Sequence, residues 1–234
     1  MYCPAVTEFR YAQLCPVARA VEILGERWTL LVVRELFCGP QRFSDLRRRL
    51  PGVSPSVLSR RLAALEARGI ARRRRLPPPA AAQVYELAEA GRALERPMGE
   101  LMRWGLRWLT VEPGDHFEPE WFALGLRFCA RRDATPAHRF RLTMAGPEAA
   151  APPALDLWVE GGSGGTQVLD IAEVDGRAAD LSISGAPLAL MGFATQRAPS
   201  HELLASGALR TQGDATLLDR FPECFDFSLA GTAS

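Results

Sequence analysis

The stretch PGVSPSVLSRRLAALE, residues 51–66, decides the fold of the first half of this chain of 234 residues. Its opening Pro51-Gly52 pair is typical of a turn. Ser54 is a preferred helix N-cap, and the proline directly after it takes the first helical position, where a missing N–H costs nothing. The stretch therefore predicts a turn followed by a helix that begins behind Ser54, runs to Arg68 and ends at Gly69.

The predicted helix has one apolar face and one small, basic face. Leucines one turn apart form the expected buried stripe: Leu58, Leu62 and Leu65. The exposed face then carries Ser56, Ser59, Arg60 and Ala63, with Arg61 on its flank. Small residues let a helix enter a DNA major groove closely, and a guanidinium pairs with guanine edges or with phosphate. The helix N-terminus behind Ser54 is a phosphate-binding position.

Helical spacing predicts three further helices before this turn. The first runs from Pro16 to Leu24, and the second is a buried helix from Trp28 to Phe37. Ser44 is the expected cap of a short third helix. In that helix we expect two leucines inside and three arginines outside: Leu46 and Leu50 against Arg47, Arg48 and Arg49.

Two extended segments follow, Ile70 to Leu76 and Gln83 to Leu87, and a Pro77-Pro78-Pro79 tip between them forbids helix. The first segment carries four consecutive arginines: Arg72, Arg73, Arg74 and Arg75. Such side chains straddle a DNA backbone or enter the minor groove. Helices, turn, capped helix and basic hairpin together predict a winged helix-turn-helix. The alternative is a structural winged helix that contacts protein rather than DNA.

Charge is distributed unevenly along the chain. Up to Thr110 there are 19 arginines and 10 acidic residues, a net of +9, while the remainder has 9 arginines and 17 acidic residues, a net of −8. Between Gln41 and Arg75 alone, 11 arginines stand against two acidic residues. Such a cluster repels itself unless a polyanion is its neighbour, so it favours a nucleic-acid partner. A solvated basic face is the other interpretation.

The second half has the pattern of a mixed α+β domain. Alternation at Phe140, Leu142 and Met144, and again at Leu181 and Ile183, is typical of half-buried strands. Leu155 to Glu160 and Gln167 to Ala172 flank a glycine-rich hairpin, and four helices are predicted: Glu120 to Arg131, Leu188 to Thr195, His201 to Ser206 and Ala215 to Phe221. The whole chain is therefore predicted to be α+β, with domains at 1–112 and 117–230 on either side of Pro113-Gly114.

A series of motifs in the first half runs in a recognisable order: Cys15-Pro16-Val17, Gly25-Glu26-Arg27-Trp28-Thr29, Arg34-Glu35-Leu36, Arg42-Phe43-Ser44-Asp45-Leu46 and Leu58-Ser59-Arg60-Arg61-Leu62. The chain resembles the HxlR family of bacterial transcriptional regulators over about residues 10–110. The resemblance implies a cytoplasmic homodimer that pairs through its terminal helices and binds inverted repeats in double-stranded DNA. Arg42 and Ser44 are also expected DNA contacts.

Cys15 aligns with a position that some members of this family use as a thiol sensor. A cysteine at a helix N-terminus, one turn from Arg19, is in a setting that favours the thiolate. Cys15 is therefore a candidate redox residue, with Cys3 as a candidate resolving thiol. The other interpretation is a small buried residue at a dimer face.

The second half resembles the sterol carrier protein type 2 family from about Trp121 to Phe225. The resemblance rests on Ala179-Asp180-Leu181-Ser182-Ile183-Ser184, on Leu188 to Gly192, and on Ser206-Gly207-Ala208-Leu209-Arg210. It implies a small α+β fold that encloses an apolar tunnel. The candidates to line it are large apolar residues, for each of which plain core packing is the alternative: Trp158, Met191, Phe193, Phe221 and Phe225.

Signals for catalysis are poor. Gly161-Gly162-Ser163-Gly164-Gly165 matches a nucleophile-elbow pattern but lies between two predicted strands, and the three histidines have no metal-ligand spacing. We expect no enzyme, cofactor, metal or membrane span. The sequence thus predicts a DNA-binding regulator controlled by an apolar ligand. Two alternatives stay open: a Cys15 sensor with a scaffold domain, and a lipid-binding protein whose winged helix only dimerises.

Overall fold

The computed structural model describes residues 10–79, 81–146, 152–174 and 176–228. The chain forms two compact units, residues 1–98 and 99–234. No helix among the described residues is long and apolar enough to cross a membrane.

The first unit is built from helices and one hairpin. Its helices are α1 (Pro16–Leu24), α2 (Thr29–Phe37), α3 (Phe43–Arg49), α4 (Pro55–Ala67) and α5 (Glu89–Arg92). Its hairpin is formed by β1 (Ala71–Arg75) and β2 (Gln83–Leu87), which pair antiparallel. The predicted order of helix, turn, helix and hairpin is therefore confirmed.

A side-chain cap was predicted for two of these helices and is present in one of them. The Ser54 hydroxyl accepts a hydrogen bond from the Val57 N–H at 3.3 Å, so the predicted cap of α4 is confirmed. The predicted cap of α3 is wrong, because α3 begins at Phe43 and Arg42 holds the N-cap position. Ser44 lies one residue inside the first turn, where its side chain is exposed.

The core of the first unit is an apolar cluster that α2, α3, α4 and the hairpin share. Its most deeply buried members are Val32, Val33, Leu46, Leu58 and Leu62, each with no exposed surface. The turn between α3 and α4 depends on Gly52, whose φ of +89° is a conformation that side-chain-bearing residues rarely adopt.

The second unit holds a five-stranded mixed sheet with helices packed on it. Its strands are β3 (Arg139–Met144), β4 (Leu155–Glu160), β5 (Gln167–Asp170), β6 (Leu181–Gly185) and β7 (Leu209–Gly213), in the order β5-β4-β3-β6-β7. Only the β3–β6 pair is parallel. The helices are α7 (Pro119–Cys129), α8 (Pro187–Ala194) and α9 (Ser200–Ala205). The predicted mixed α+β character is confirmed, while β7 was not predicted as a strand.

A helix named α6 (Glu95–Leu106) spans the boundary between the two units. Its first turn contributes Met98, which packs against the first core. From Gly99 onward α6 belongs to the second unit, where a Cβ at Gly99 would lie 3.3 Å from the Phe128 carbonyl oxygen. The two compact units divide inside α6, and the predicted boundary at Pro113-Gly114 stays a prediction.

The five residues predicted to line a ligand tunnel are placed in two environments. Phe193 and Phe221 stack with ring centroids 5.4 Å apart, and Phe225 lies 5.2 Å from Phe221, so these three rings fill the core. Met191 packs against the same core and is partly exposed. Trp158 is buried on the opposite sheet face, where its Nε1 donates to Glu160.

Candidate nucleic-acid interface

The outward face of α4 is the first part of the candidate interface. Leu58, Leu62 and Leu65 point into the core, as predicted. Because side chains 3.6 residues apart share a helix face, the opposite positions face solvent. The structure exposes Ser56, Ser59, Arg60 and Ala63 there, so their predicted exposure is confirmed. The face is narrow and carries one guanidinium.

The hairpin presents its arginines on two sides. Arg72 and Arg74 flank the Glu86 carboxylate on β2, with nitrogen–oxygen distances of 2.7 Å to each. Arg73 points the other way, where it pairs with Glu66 of α4 at 2.9 Å and lies over the Tyr85 ring at 5.4 Å. The alternation follows the two-residue period of a strand. It spreads positive charge over both faces of the hairpin.

The one acidic residue of the hairpin strands, Glu86, holds Arg72 and Arg74 in place. The hydrogen bond from Arg74 lowers the pKa of Glu86, and the hydrogen bond from Arg72 lowers it further against the opposing effect of burial. Glu86 is therefore ionised at neutral pH. Because a guanidinium has five N–H donors, each arginine keeps donors free for a second acceptor.

A backbone connection links the start of α3 to the hairpin. The Gln41 N–H donates to the Tyr85 carbonyl at 2.9 Å, and the Tyr85 N–H donates back to the Gln41 carbonyl at 2.8 Å. Arg42 and Ser44, both exposed, follow directly after this connection. The α3 N-terminus and the hairpin are therefore held in register with one another.

Four arginines in the segment 41–75 are exposed and have no ion-pair partner among the described residues: Arg42, Arg47, Arg60 and Arg75. They lie on α3, on α4 and at the end of β1. Uncompensated positive charge on three neighbouring elements of one unit raises the electrostatic potential around them. The surface therefore attracts a polyanion.

Two arginines that the sequence placed outside are buried. Arg49 donates to the fully buried Glu35 carboxylate at 2.7 Å, and Arg61 donates to the Arg27 carbonyl at 3.1 Å and pairs with Glu26. The predicted exposure of Arg49 and Arg61 is therefore wrong. Burial of a charged side chain requires such a partner, and both partners lie on earlier segments of the chain. Arg61 positions α4 rather than facing solvent.

The cysteines fall into an accessible and a buried pair. Cys15 occupies the N-cap of α1 with no side-chain cap bond and is partly exposed, as is Cys38. Burial raises the pKa of Cys129 and of Cys224 to about 11, so both are neutral thiols at physiological pH. Cys3 lies outside the described residues.

No cluster of three or more His, Cys, Asp or Glu side chains that could hold a metal ion occurs in the described part of the chain. The glycine-rich segment 161–165 connects the antiparallel strands β4 and β5, so its predicted place in a hairpin is confirmed. That place differs from the strand-to-helix turn of a nucleophile elbow.

These observations define a winged helix-turn-helix unit with a basic, solvent-facing surface. The family model described as HxlR-like helix-turn-helix matches residues 23–113. The regulator YvaP of Bacillus subtilis, named an uncharacterized HTH-type transcriptional regulator, is 38% identical over 99 residues, which cover 42% of this chain and 92% of YvaP. The HTH-type transcriptional regulator YodB of the same organism is 35% identical over 103 residues, which cover 44% of this chain and 90% of YodB.

Among solved structures, the redox regulator HypR in its oxidized form is 30% identical with a TM-score of 0.38, covering 42% of this chain and all of HypR. Each of these three matches covers less than half of this chain. The chain belongs to the HxlR-like helix-turn-helix family through its first half.

Proposed function

We propose that this protein is a cytoplasmic transcriptional regulator that binds inverted repeats in double-stranded DNA as a homodimer. In this proposal α4 enters the major groove with Ser56, Ser59 and Arg60. The hairpin arginines 72–75 contact the flanking backbone or the minor groove, and Ser54 orients the α4 N-terminus toward a phosphate. Arg42 and Ser44 add contacts from α3.

The observation that carries this proposal is the set of exposed arginines that have no acidic partner within residues 10–79, 81–146, 152–174 and 176–228: Arg42, Arg47, Arg60 and Arg75. A protein that only carried lipid would gain nothing from this arrangement, because unpaired charges in one segment repel each other. A phosphate backbone neutralises them and releases counterions.

A salt titration of DNA binding tests this proposal. Two subunits that make on the order of 6–10 phosphate contacts give a slope of log affinity against log salt of about −5 to −9. We expect fluorescence anisotropy with a labelled duplex to give a slope in this range. A flat salt dependence, or no binding to any duplex at low salt, would contradict the proposal.

Exposed apolar surface supports a homodimer. On and after α6, Leu101, Trp104 and Trp108 are 49%, 56% and 69% exposed. On and before α1, Leu14 is fully exposed and Val17 is 70% exposed. Apolar groups in such numbers are expected to be covered by a partner, here a second copy of the chain. A chain that sediments as a monomer at micromolar concentration would contradict this part of the proposal.

We also propose that the second unit binds an apolar small molecule that controls DNA affinity. The resemblance to the sterol carrier protein type 2 family supports this role, with Met191, Phe193, Phe221 and Phe225 as the candidate ligand-binding residues. Trp158 lies on the opposite sheet face and is no longer a candidate for the same site. Leu188 on α8 and Leu204 on α9 are 59% and 37% exposed. α9 packs on α8 and β7 and contains no buried residue, so it is weakly held over the core.

A ligand screen on the full chain tests this second proposal. An effector must bind the two DNA-affinity states differently, and a typical coupling changes operator affinity about 5–150-fold. We expect thermal-shift hits from a lipid and aromatic library to change DNA affinity by such a factor. Hits that leave DNA affinity unchanged would contradict regulation through the second unit.

A thiol switch is the competing mechanism. It is favoured by the accessible Cys15 at the N-cap of α1. We expect diamide to affect DNA binding of the wild type and of Cys15→Ser alike, because the second unit carries the signal. A response that Cys15→Ser abolishes would replace our mechanism with the thiol switch. Cys38→Ser is the matched control, since Cys38 is also partly exposed.

A further inference from the structure

A basic cleft lies entirely within the second unit, apart from the aromatic core. It has a volume of about 270 Å³, and the residues that determine its chemistry are Arg103, Leu106, Arg107, Arg197 and Phe227. Its position is unexpected, since the second unit, residues 99–234, carries 11 arginines against 18 acidic residues. Three guanidiniums around one small cleft therefore stand out in an acidic half of the chain.

The Arg103 side chain is held by hydrogen bonds and an ion pair within the second unit. Its guanidinium donates to the Asp226 carbonyl at 2.8 Å and to the Phe128 carbonyl at 3.1 Å, and it pairs with Glu100 at 2.9 Å. Its side chain is 13% exposed. Arg103 thus fixes the end of α7 and the segment around Asp226 against α6, and it forms a rigid wall of the cleft.

Arg107 and Arg197 are available to a ligand. Both are exposed, and neither forms an ion pair with any described residue. Arg197 donates one N–H to the Leu106 carbonyl, which holds it at the cleft and leaves its other donors free. The carboxylate of this region, Asp226, instead accepts from the N–H and hydroxyl of Ser228. Within the part of the chain that the structure describes, two guanidinium charges therefore lack a counter-charge.

The remaining wall of the cleft is apolar. Phe227 packs against the core of the second unit, with its ring centroid 5.9 Å from that of Phe225. Leu106, at the last position of α6, is also partly buried. The cleft therefore places paired positive charge next to an aromatic surface. A ligand that satisfies both surfaces carries an oxyanion and a short apolar group.

We propose that this cleft binds an amphipathic organic anion, with its carboxylate or phosphate group on Arg107 and Arg197 and its apolar group on Phe227. The inference goes beyond the proposed function, because it assigns a second ligand site apart from the aromatic core where that proposal places the apolar effector. An anion on Arg197 accepts from the donors that the Leu106 carbonyl leaves free. Since Leu106 ends α6, which begins at Glu95 in the first unit, binding acts on a helix that both units share.

Calorimetry on the full chain with four probes tests this inference. We expect octanoate or octyl phosphate to bind with one site per chain, and the tighter of the two identifies the oxyanion. Octanol lacks the charge and inorganic phosphate lacks the apolar group, so each is expected to bind at least about tenfold more weakly.

Substitutions locate the site. Arg107→Gln and Arg197→Gln are each expected to weaken binding about tenfold or more. Arg210→Gln, an exposed arginine on β7 that does not line the cleft, is the matched control and should bind like the wild type. If Arg197→Gln fails to fold, Arg107→Gln alone decides, because the Arg107 side chain holds no bond in the described structure.

Four results would overturn the inference: no binding of any probe at millimolar concentration, equal affinity for octanol and octanoate, equal affinity for inorganic phosphate and octyl phosphate, or wild-type affinity in Arg107→Gln. DNA affinity without probe is measured in parallel. If the wild-type protein does not bind DNA in the absence of a probe, the proposed function is wrong. If it binds DNA but binds none of the anions, only the cleft proposal is wrong.

Discussion

Arg60 and Arg61 are adjacent in sequence but have opposite environments, and this contrast gives the sharpest mutational prediction. Arg60 is exposed on α4 without an ion-pair partner in the described chain. Arg61 has a side chain 11% exposed, bonded to the Arg27 carbonyl and paired with Glu26. Glutamine in either position keeps much of the side-chain volume and removes the charge. The two substitutions are therefore matched controls for one another.

The expected magnitudes follow from these contacts. Arg60→Gln removes one base or phosphate contact per subunit, each worth about 1–3 kcal/mol, or roughly 5–150-fold in DNA affinity per half-site. Its effect on unfolding is expected within about 0.5 kcal/mol. Arg61→Gln removes hydrogen bonds to a charged group in a mostly desolvated position, each worth about 1.5–3 kcal/mol. For a unit of this size that lowers the melting temperature by about 6 °C or more.

Two assays separate the effects. Thermal unfolding followed by circular dichroism reports stability, and fluorescence anisotropy with a duplex at fixed salt reports DNA affinity below the melting temperature of both variants. We expect Arg60→Gln to lose affinity at wild-type stability and Arg61→Gln to lose stability. The reasoning is refuted if Arg60→Gln binds DNA like the wild type, or if Arg61→Gln melts like the wild type.

Further predictions concern stability. Glu35→Ala removes the buried carboxylate that pairs with Arg49 and should cost about 3–5 kcal/mol in a urea titration; a loss below 1 kcal/mol would show that water replaces the carboxylate. Gly91→Ala should also destabilise the first unit, since its Cβ would lie 2.2 Å from a backbone carbonyl oxygen, and wild-type melting would contradict this. The Arg139 hydrogen bond lowers the pKa of Asp180, so this pair stabilises the fold at neutral pH and loses its contribution as pH falls below about 4. The melting temperature of Asp180→Asn should therefore depend less on pH there than that of the wild type.

Much of the first unit was predictable from local signals. Ser54, Pro55 and Gly69 mark the ends of α4, and the leucine spacing gives its buried face. These signals act within one or two turns of the chain. They do not depend on contacts with distant residues, so the sequence alone carries them.

The burial of Arg49 and Arg61 was not predicted, because their charge was taken as a stronger indication of exposure than their helical positions were of burial. Arg61 lies three residues after Leu58 and four before Leu65, which places it beside the buried stripe. Its partner Glu26 is 35 positions away, and the Arg49 partner Glu35 is 14 positions away. Nothing local to either arginine indicates these pairings, which only the tertiary fold creates.

The second unit was predictable where strands alternate and unpredictable where they do not. β3 and β6 have clear apolar alternation, whereas β7 has one buried residue, Leu209, and pairs only at the sheet edge. The basic cleft was also missed, because Arg107 and Arg197 are far apart in sequence. Folding brings them together around a phenylalanine that sequence analysis did not single out.

The most direct test of the central claim is selection of DNA by the full-length protein from a pool of random duplexes, followed by sequencing. The account predicts enrichment of an inverted repeat whose half-site centres lie about one helical turn apart, or a multiple of that, because a two-fold dimer presents two copies of α4. It also predicts that Arg60→Gln relaxes the preference at one position in each half-site. A pool that stays random after repeated rounds, or that enriches sequences without two-fold symmetry, would contradict the account.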